Sequence, residues 1–329
     1  VLTHGNLFWN LMNNIHTREH RPGEISLIIG PLFHTAALNN HFTTQVALGG
    51  TSIFMKKFDP DLVLNHIQKD RANVISGSPT MFNLLIQHPR LNLFDTTSIT
   101  KCTTGASTLS RELKKRLMEV FPNALGIYDL YGCTEASPTI TTLNAGDSLE
   151  RDGTVGLPAP FLQAGVVDER GEKLPPEDIG ELVCQGPNVM QGYYKDEEGT
   201  KEAIRHGWLY TGDLAFVDRE GYFHIVDRKK DMIVSGGENI YPREIEEVLI
   251  KHPAVSDVAV VGVPHAVWGE TVRAHVVLKK GKSADEKSII EFCKIYLAGY
   301  KKPTSVLFTD AIPRNDVGKP LKRLLRTLS

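Results

Sequence analysis

The sequence of 329 residues predicts an α/β fold that is followed by a small α+β domain. Three observations support this assignment. Apolar strands alternate with segments of helical periodicity over residues 1–149, which is typical of a layered α/β part. Short strands broken by Gly, Pro and Asp turns fill residues 150–229 and indicate a β-rich part. Helices and strands alternate again over residues 230–329, a length that suits a small independent domain.

In the first part, the two helices and four strands follow from hydrophobic spacing. We assign helices to 60–70 and 108–121, and strands to 25–33, 51–55, 72–77 and 124–132. The second helix is the clearest, because its leucines recur at three- and four-residue intervals and Ser110 suits an N-cap.

The two later parts differ in their predicted secondary structure. The segment from 150 predicts a β-sandwich or small barrel without helices. After residue 230, Pro242 opens a predicted helix, because proline is favoured in a first helical turn. A second amphipathic helix covers 283–299, and strands are predicted at 255–264, 272–280 and 304–312.

The composition excludes several functions. The net charge of −2 gives no electrostatic reason to bind nucleic acid or an anionic membrane. No apolar run reaches the roughly 20 residues that span a bilayer, so we expect no stable membrane insertion. The four cysteines have no CxxC spacing, which argues against a disulfide framework or a zinc site and favours a reducing cytoplasm. This composition is compatible with a homodimer as well as with a monomer.

The stretch "DLYGCTEAS" (129–137) follows a predicted strand and carries groups suited to a nucleotide. Tyr131 offers a ring for stacking, and Asp129 offers an acceptor for an exocyclic amine. Gly132 would let a ligand approach the backbone. Thr134 supplies a hydroxyl for a phosphate oxygen, and Glu135 a carboxylate for Mg²⁺. The alternative is a polar loop with a solvated Glu135.

Three further positions are candidates. Asp213 follows a glycine in a predicted turn, where its carboxylate could accept from both ribose hydroxyls or simply close the turn. His34 ends a predicted strand and is either functional or a satisfied loop residue. Lys319 follows Gly318 in a flexible turn and could reach an anion, although most lysines are solvated.

The small-residue loop "CTTGASTLS" (102–110) lies between a predicted strand and a predicted helix. Gly105, Ala106 and Ser107 are small enough for a flat base to lie against the main chain. Many strand-to-helix connections have the same composition.

The order of these stretches carries more information than any one of them. "GPLFHTAAL", "TGAS", "YGCTE", "YTGDLAFVDREGYFHIVDRKKDMIVSGGENIYPREIE" and "PRNDVGK" occur in this order over nearly the whole chain. Together they resemble the adenylate-forming family of acyl-CoA synthetases, luciferases and peptide-synthetase adenylation domains. The "GGENIYP" form is closer to acyl- and aryl-CoA ligases.

The resemblance implies a fold and an activity. The fold would be the remainder of a large adenylate-forming N-terminal domain, with a layered part and a small β-barrel-like part, followed by a mobile C-terminal domain. The activity would be that of an AMP-forming acid–thiol ligase. It activates a carboxylic acid with ATP and Mg²⁺ to an acyl-adenylate and transfers the acyl group to coenzyme A.

The resemblance also implies roles for individual residues. The nucleotide base and sugar would be bound by Tyr131, Leu130, Gly132, Asp129, Gly105, Ala106, Ser107, Asp213 and Arg228. Thr134 would meet the α-phosphate, Glu135 would hold Mg²⁺, and His34 would lie at the carboxylate pocket. Lys319 would bridge the acyl carboxylate and the α-phosphate as charge builds in the adenylation transition state.

The stretch "DRKKDMIVSGGEN" (227–239) would be the joint between two domains. By resemblance, Lys230 is the pivot about which the C-terminal domain rotates between the half-reactions. In one orientation Lys319 enters the site. In the other, Gly236 and Gly237 line a channel for the pantetheine arm, where a Cβ would not fit.

One departure from the family pattern concerns the N-terminus. The family's phosphate loop would lie directly before "VLTHGN", and the sequence begins there. We therefore expect a truncated piece of a longer synthetase, which alone is inactive or nearly inactive in ATP–pyrophosphate exchange.

Several functions stay open. A medium- or long-chain fatty acid is the first candidate substrate, and an aryl acid such as a benzoate or cinnamate is the second. A carrier-protein-loading domain or a luciferase-like oxygenase would keep the same fold. A non-catalytic nucleotide-binding module is disfavoured by the presence of Lys319, Glu135 and Asp213 together.

Overall fold

The computed structural model describes residues 1–105, 109–315 and 318–327. The chain divides into two compact units. The first consists of Val1–Thr211 and Ala215–Ile225, and the second of Gly212–Leu214 and the chain from Val226 onward. The boundaries at residues 150 and 230 stay predictions.

A seven-stranded sheet organises the first part of the first unit. Its strands are β1 (Ile25–Ile28), β2 (Thr51–Phe54), β3 (Val74–Ser76), β4 (Lys101–Gly105), β5 (Ile127–Tyr131), β6 (Thr141–Leu143) and β7 (Leu157–Pro158). They lie in the order β2-β1-β3-β4-β5-β6-β7. The first five are parallel, whereas β6 and β7 are antiparallel to their neighbours. This arrangement confirms the predicted layered α/β part.

Over residues 1–105 and 109–149, five α-helices accompany this sheet: α1 (His4–Thr17), α2 (Thr43–Leu48), α3 (Pro60–Asp70), α4 (Pro79–Ile86) and α5 (Arg111–Val120). Helix α3 spans the predicted range. Helix α5 begins after Ser110, whose hydroxyl accepts from the backbone N–H of Leu113, as an N-cap does. Apolar faces of α3, α4 and α5 pack with the sheet in one core, in which Leu64, Phe82, Leu117 and Ile127 are fully buried.

Several segments of the first part differ from the sequence prediction, which contained neither α2 nor α4. The strand predicted at 25–33 ends at Ile28, so His34 lies in a turn and not at a strand end. Helix α1 was not predicted, because its buried residues are asparagines and not the apolar residues that mark a helix face. A π-helix, Ala36–Phe42, was also not predicted.

The second part of the chain forms a five-stranded sheet, in which the pairs Ile204–Arg205 with Trp208–Leu209 and Gln163–Val167 with Glu181–Gln185 are antiparallel. Its strands are β8 (Gln163–Val167), β9 (Gly180–Gln185), β10 (Ile204–Arg205), β11 (Trp208–Val217) and β12 (Phe223–Arg228), in the order β10-β11-β9-β8 with β12 paired to β11. The prediction of no helix was wrong, since α6 (Glu197–Ala203) lies here. Its residues are exposed or half-buried, so it has no buried apolar face to reveal it. Asp213 lies inside β11 and not in a turn.

In its described residues, the second unit contains a five-stranded sheet and three α-helices. The strands are β13 (Ile233–Ser235), β14 (Glu238–Ile240), β15 (Val255–His265), β16 (Gly269–Leu278) and β17 (Ser305–Phe308), and the helices are α7 (Pro242–Leu249), α8 (Glu286–Tyr296) and α9 (Lys322–Leu325). The order is β14-β13-β16-β15, with β17 parallel to β16. Helices α7 and α8 share one core with β15 and β16. Pro242 opens α7, as predicted.

Within the described part of the chain, each helix is too short or too polar to cross a membrane.

Candidate functional site

The candidate nucleotide-binding residues of the first unit lie where β4 and β5 end. Gly105 pairs with Leu130 and Thr104 with Asp129 in the parallel register of these strands. Asp129 is buried, and Tyr131 ends β5. The carboxyl ends of parallel strands are the usual ligand-binding edge of an α/β sheet. The structure thus brings Gly105 and 129–131 together. Ala106 and Ser107 lie outside the described residues.

Gly132 is required by the fold of its own loop. A Cβ at this position would lie 1.7 Å from the carbonyl oxygen of Pro138, which backbone atoms cannot accommodate. The prediction placed a ligand against Gly132. The structure provides a different reason for glycine, namely the close approach of the following chain. At Gly105, a Cβ would lie 3.3 Å from the carbonyl oxygen of Leu130, a tight but less severe contact.

Thr134 and Glu135 lie on a short 3₁₀ turn, Thr134–Ala136, just after β5. The hydroxyl oxygen of Thr134 lies 3.4 Å from that of Thr35. His34 precedes Thr35, and its Nδ1 accepts from the backbone N–H of Ala36 at 3.3 Å. The structure therefore brings together two segments that are 99 residues apart in sequence, each carrying a predicted site residue.

A buried amide network holds these two segments together. Oδ1 of Asn40, in the π-helix, accepts from Nδ2 of Asn14 at 2.7 Å and from Nδ2 of Asn10 at 3.1 Å. The hydroxyl of Thr139, in the loop after Glu135, lies 3.2 Å from the same oxygen. Sequence reasoning missed these residues. The signal was present, because buried asparagines recur at helical spacing on α1, at positions 6, 10, 13 and 14.

Tyr193 is a further site residue that sequence reasoning missed. Its hydroxyl donates a hydrogen bond of 2.9 Å to Oε1 of Glu135. Partial burial raises the pKa of Tyr193 to about 12, and the bond to the Glu135 carboxylate adds to this shift. The phenol is therefore a donor at neutral pH. It lies in "QGYYKDEEGT", a stretch with no feature that indicates chemistry.

Glu135 offers one carboxylate for a cation. Over residues 1–105, 109–315 and 318–327, no group of three or more His, Cys, Asp or Glu side chains is placed to hold a metal ion. This donor set fits Mg²⁺ better than a transition metal, since Mg²⁺ is commonly held by one or two carboxylates together with substrate phosphates.

In the second unit, Asp213 and Arg228 form an ion pair. Nε of Arg228 lies 2.9 Å from Oδ1 of Asp213. The carboxylate is buried whereas the guanidinium is half exposed. Burial of a carboxylate is costly without a partner, so the pair fixes the orientation of Asp213.

Lys230 lies on a 3₁₀ turn, Lys229–Asp231, that contacts the C-terminal part of the chain. Nη2 of Arg326 donates to the carbonyl oxygen of Lys230 at 3.2 Å and lies 3.1 Å from Oδ1 of Asp231. The backbone of the predicted pivot thus has a specific partner within its own unit.

Gly236 and Gly237 form the two-residue loop of a β-hairpin. Ser235 pairs with Glu238 across it, and the two glycines have φ angles of 60° and 89°. Two-residue hairpin loops with positive φ at both positions favour glycine and asparagine. A Cβ at Gly236 would lie 2.8 Å from Cε3 of Trp268, while one at Gly237 would meet nothing within 4 Å. The hairpin accounts for both glycines locally.

Lys319 lies in a segment held at its start by Arg314. Nη2 of Arg314 lies 2.8 Å from each carboxylate oxygen of Asp257, and its Nη1 donates to the carbonyl oxygen of Gly318 at 2.7 Å. The backbone N–H of Lys319 donates to Oδ1 of Asn315 at 2.9 Å. Gly318 has a φ of 82°, which is consistent with its predicted turn.

A buried ionic cluster supports the first sheet. The carboxylate of Glu24 lies 2.5 Å from Nζ of Lys101 and 2.5 Å from Nδ1 of His20. Burial would raise the pKa of Glu24, but the hydrogen bonds from His20 and Lys101 prevail and lower it to about 2. Burial, with the charge of Arg18, lowers the pKa of His20 to about 4. At neutral pH, His20 is therefore an uncharged donor to Glu24 despite the ion-pair distance.

The chain is similar to known proteins over almost all its length. A family model described as AMP-binding enzyme matches residues 1–194, and one described as AMP-binding enzyme C-terminal domain matches residues 244–319. A feruloyl-CoA synthase from an Amycolatopsis species is 40% identical over 99% of this chain and 66% of its own length. A long-chain-fatty-acid–CoA ligase from Bacillus subtilis (strain 168) is 40% identical over 99% of this chain and 58% of its own.

A solved structure has the same fold. The crystal structure of ATP-bound MatB from Rhodopseudomonas palustris aligns with a TM-score of 0.91 at 36% identity, covering 99% of this chain and 64% of that chain. The fold is therefore the adenylate-forming one that the sequence predicted. The chain spans 58% and 66% of the lengths of the two curated relatives named above.

Proposed function

The chain belongs to the family of AMP-binding enzymes, and from this membership we propose that its protein is an AMP-forming acid–thiol ligase. In the first half-reaction, a carboxylate oxygen attacks the α-phosphorus of ATP and pyrophosphate leaves. In the second, the thiol of coenzyme A attacks the acyl carbon and AMP leaves. Relatives that are named CoA synthase and CoA ligase support this reaction type.

The observation that carries the proposal is the Thr134–Glu135 turn at the end of β5, with the hydroxyl of Thr35 3.4 Å from that of Thr134. Two hydroxyls and a carboxylate at this edge suit a phosphate and its counter-ion. We assign Thr134 to the α-phosphate and Glu135 to Mg²⁺, which when bound would neutralise phosphate charge. His34, which precedes Thr35, is assigned to the substrate carboxylate.

We assign the nucleotide base to residues at the carboxyl ends of β4 and β5, and the ribose to the Asp213–Arg228 pair. Tyr131 would stack on adenine, with Asp129, Leu130, Gly105 and Gly132 at the same sheet edge. In the second unit, the carboxylate of Asp213, oriented by Arg228, would accept from the ribose hydroxyls.

The second unit also carries the positively charged side chain that we propose for the first half-reaction, that of Lys319. Lys319 would stabilise the negative charge that develops between the carboxylate and the α-phosphate, an electrostatic contribution typically worth about 3 kcal/mol. We propose that Lys230 is the pivot of a domain rotation, and that the hairpin of Gly236 and Gly237 borders the thiol in the second half-reaction.

The acid is proposed as a medium- or long-chain fatty acid, with an aryl acid as the second candidate. Both classes occur among the relatives, as the feruloyl-CoA and long-chain-fatty-acid names state. The segment 33–42 is the candidate lining of the acid pocket and carries three consecutive polar side chains. Its Asn39, Asn40 and His41 are buried, and Asn40 contacts α1, so these side chains are engaged within the protein. The small Thr35 and Ala36 remain as candidate lining.

The test uses the full-length product of the gene that encodes this chain. Acid-dependent ATP–pyrophosphate exchange is measured over fatty and aryl acids, followed by AMP release with and without coenzyme A. We expect exchange with one acid class and coenzyme A-dependent turnover. Lys319→Ala is expected to lower exchange at least 100-fold. Unchanged exchange in this variant would refute the assignment of Lys319, and exchange without a coenzyme A effect would favour a carrier protein as the thiol.

A further inference from the structure

We propose that Tyr193 is a positioning residue that orients the carboxylate of Glu135 toward a nucleotide-bound divalent cation. The hydroxyl of Tyr193 donates to Oε1 of Glu135 at 2.9 Å, and this bond holds the carboxylate that is assigned to the cation. This inference rests on the proposed function, which assigns Glu135 to Mg²⁺.

The segment that carries Tyr193 is attached to the turn that carries Glu135. The backbone N–H of Met190 donates to the carbonyl oxygen of Glu135 at 2.7 Å. Nδ2 of Asn188 donates to the carbonyl oxygen of Ala136 at 2.7 Å, and the hydroxyl of Ser137 donates to the carbonyl oxygen of Asn188 at 2.7 Å. Three bonds therefore fix the two backbones relative to each other, independently of the tyrosine hydroxyl.

The backbone of Tyr193 is also held from its other side. Its N–H donates to the hydroxyl oxygen of Thr200 at 2.8 Å, and its carbonyl oxygen accepts from the backbone N–H of Asp196 at 3.4 Å. A Cβ at Gly192 would lie 2.6 Å from Cγ2 of Thr200, so glycine permits this close approach. Because Asp196 caps α6, the position of Tyr193 depends on a helix end and not on a loose loop.

The bond to Glu135 restricts a carboxylate that would otherwise rotate. Glutamate loses side-chain entropy when it is fixed, and a ligand that is already oriented pays less of that cost on binding. Mg²⁺ requires near-octahedral geometry, which makes a fixed ligand oxygen useful. The structure offers no equivalent orientation through Tyr194, which is 76% exposed and has Nζ of Lys195 5.3 Å from the centre of its ring.

The experiment compares Tyr193→Phe with Tyr194→Phe in the full-length gene product. Mn²⁺ binding is measured by electron paramagnetic resonance in the presence of a non-hydrolysable ATP analogue. The affinity of the metal-free nucleotide and the thermal unfolding temperature are measured alongside. We expect Tyr193→Phe to weaken Mn²⁺ binding roughly tenfold, as loss of a hydrogen bond to a charged group does, and to leave the metal-free affinity within twofold. Tyr194→Phe should match the wild type.

Two outcomes overturn the proposal. One is Mn²⁺ binding by Tyr193→Phe within twofold of the wild type. The other is an equal loss of metal-free nucleotide affinity, which would indicate a general distortion. Glu135→Gln separates this proposal from the proposed function. If Glu135→Gln weakens Mn²⁺ binding and Tyr193→Phe does not, only the positioning role fails. If Glu135→Gln leaves Mn²⁺ binding unchanged, the assignment of Glu135 to the cation fails, and the positioning role with it.

Discussion

Nδ2 of Asn14 donates a hydrogen bond of 2.7 Å to Oδ1 of Asn40, and both side chains are buried. The bond joins α1 to the π-helix that follows His34 and Thr35. The backbone carbonyl of Asn40 accepts from Nη2 of the buried Arg18 at 2.7 Å. One asparagine therefore fixes the π-helix through both its side chain and its backbone. π-Helices are rare and often occur at functional sites, which agrees with its place beside the candidate site.

Replacement of Asn40 by Leu should destabilise the protein. The substitution keeps a similar side-chain volume but removes Oδ1 of Asn40. The buried side-chain amides of Asn10 and Asn14 then lose this hydrogen-bond acceptor. An unsatisfied buried polar group costs about 1–3 kcal/mol, so a loss of roughly 2–4 kcal/mol in the free energy of unfolding is expected. Urea unfolding measures it. Asn65→Leu, at an exposed asparagine of α3, should change the free energy by less than about 0.5 kcal/mol. Equal effects of the two changes would contradict the network's role.

Gly132→Ala should disrupt the turn that carries Thr134 and Glu135. The added Cβ, 1.7 Å from the carbonyl oxygen of Pro138, forces a shift of the backbone. We expect a loss of at least roughly 2 kcal/mol of stability and a fall in pyrophosphate exchange of more than tenfold. Gly146→Ala is the control, because a Cβ there meets nothing within 4 Å, and it should leave both quantities near wild type. Full activity in Gly132→Ala would show that the loop can relax.

The hairpin glycines should respond unequally to alanine. Both have positive φ, so each substitution costs about 1 kcal/mol of backbone strain. At Gly236 the Cβ also meets Cε3 of Trp268 at 2.8 Å, which makes this change the more costly one. Trp268→Ala in the background of Gly236→Ala should recover the additional cost. Unfolding of the two single variants, the Trp268 variant and the double variant forms a double-mutant cycle, and additive effects would contradict the contact.

Stability should fall as the pH is lowered below neutral. The folded pKa of His20, about 4, lies below its ordinary 6.5, so the unfolded state binds its proton first. The contribution of His20 is therefore complete above pH 6.5 and is lost as the pH falls toward 4, by about 3 kcal/mol. The pKa of Glu24, lowered from 4.5 to about 2, extends the loss below pH 4.5.

Urea unfolding between pH 7.5 and 4.5 measures this loss. Burial also lowers the pKa of His41, so His41 titrates with the same sign. His20→Gln should therefore flatten the profile in part and not completely. A stability that rises on acidification from pH 6.5 to 4.5 would contradict both histidine assignments.

The sequence was sufficient for several elements whose buried face is apolar, although not for the short helix α4, which buries Phe82, Leu85 and Ile86. Helix α3 begins and ends at the predicted residues, and Ser110 caps α5, since hydrophobic spacing and capping act locally. The sequence was insufficient for helices that bury polar side chains or none. Helix α1 buries asparagines, and α6 buries no residue. In the site, Glu135 was marked by its motif. Tyr193 and Asn40 were not, because their roles depend on partners that lie 58 and up to 99 residues away in the sequence.

The pair of Arg314 and Asp257 should affect one half-reaction more than the other. Arg314 contacts both carboxylate oxygens of Asp257 and the carbonyl oxygen of Gly318, next to Lys319. The pair is partly exposed, so its net effect on stability should be below about 1 kcal/mol. If Lys319 acts only in adenylation, as proposed, Arg314→Met should lower kcat for pyrophosphate exchange roughly tenfold with little change in KM for ATP. Transfer from a supplied acyl-adenylate to coenzyme A should stay within twofold of wild type.

Asp257→Asn, which removes the charge from the other partner, should reproduce this pattern more weakly. Equal losses in both half-reactions would show that Arg314 supports the domain in general and does not place Lys319.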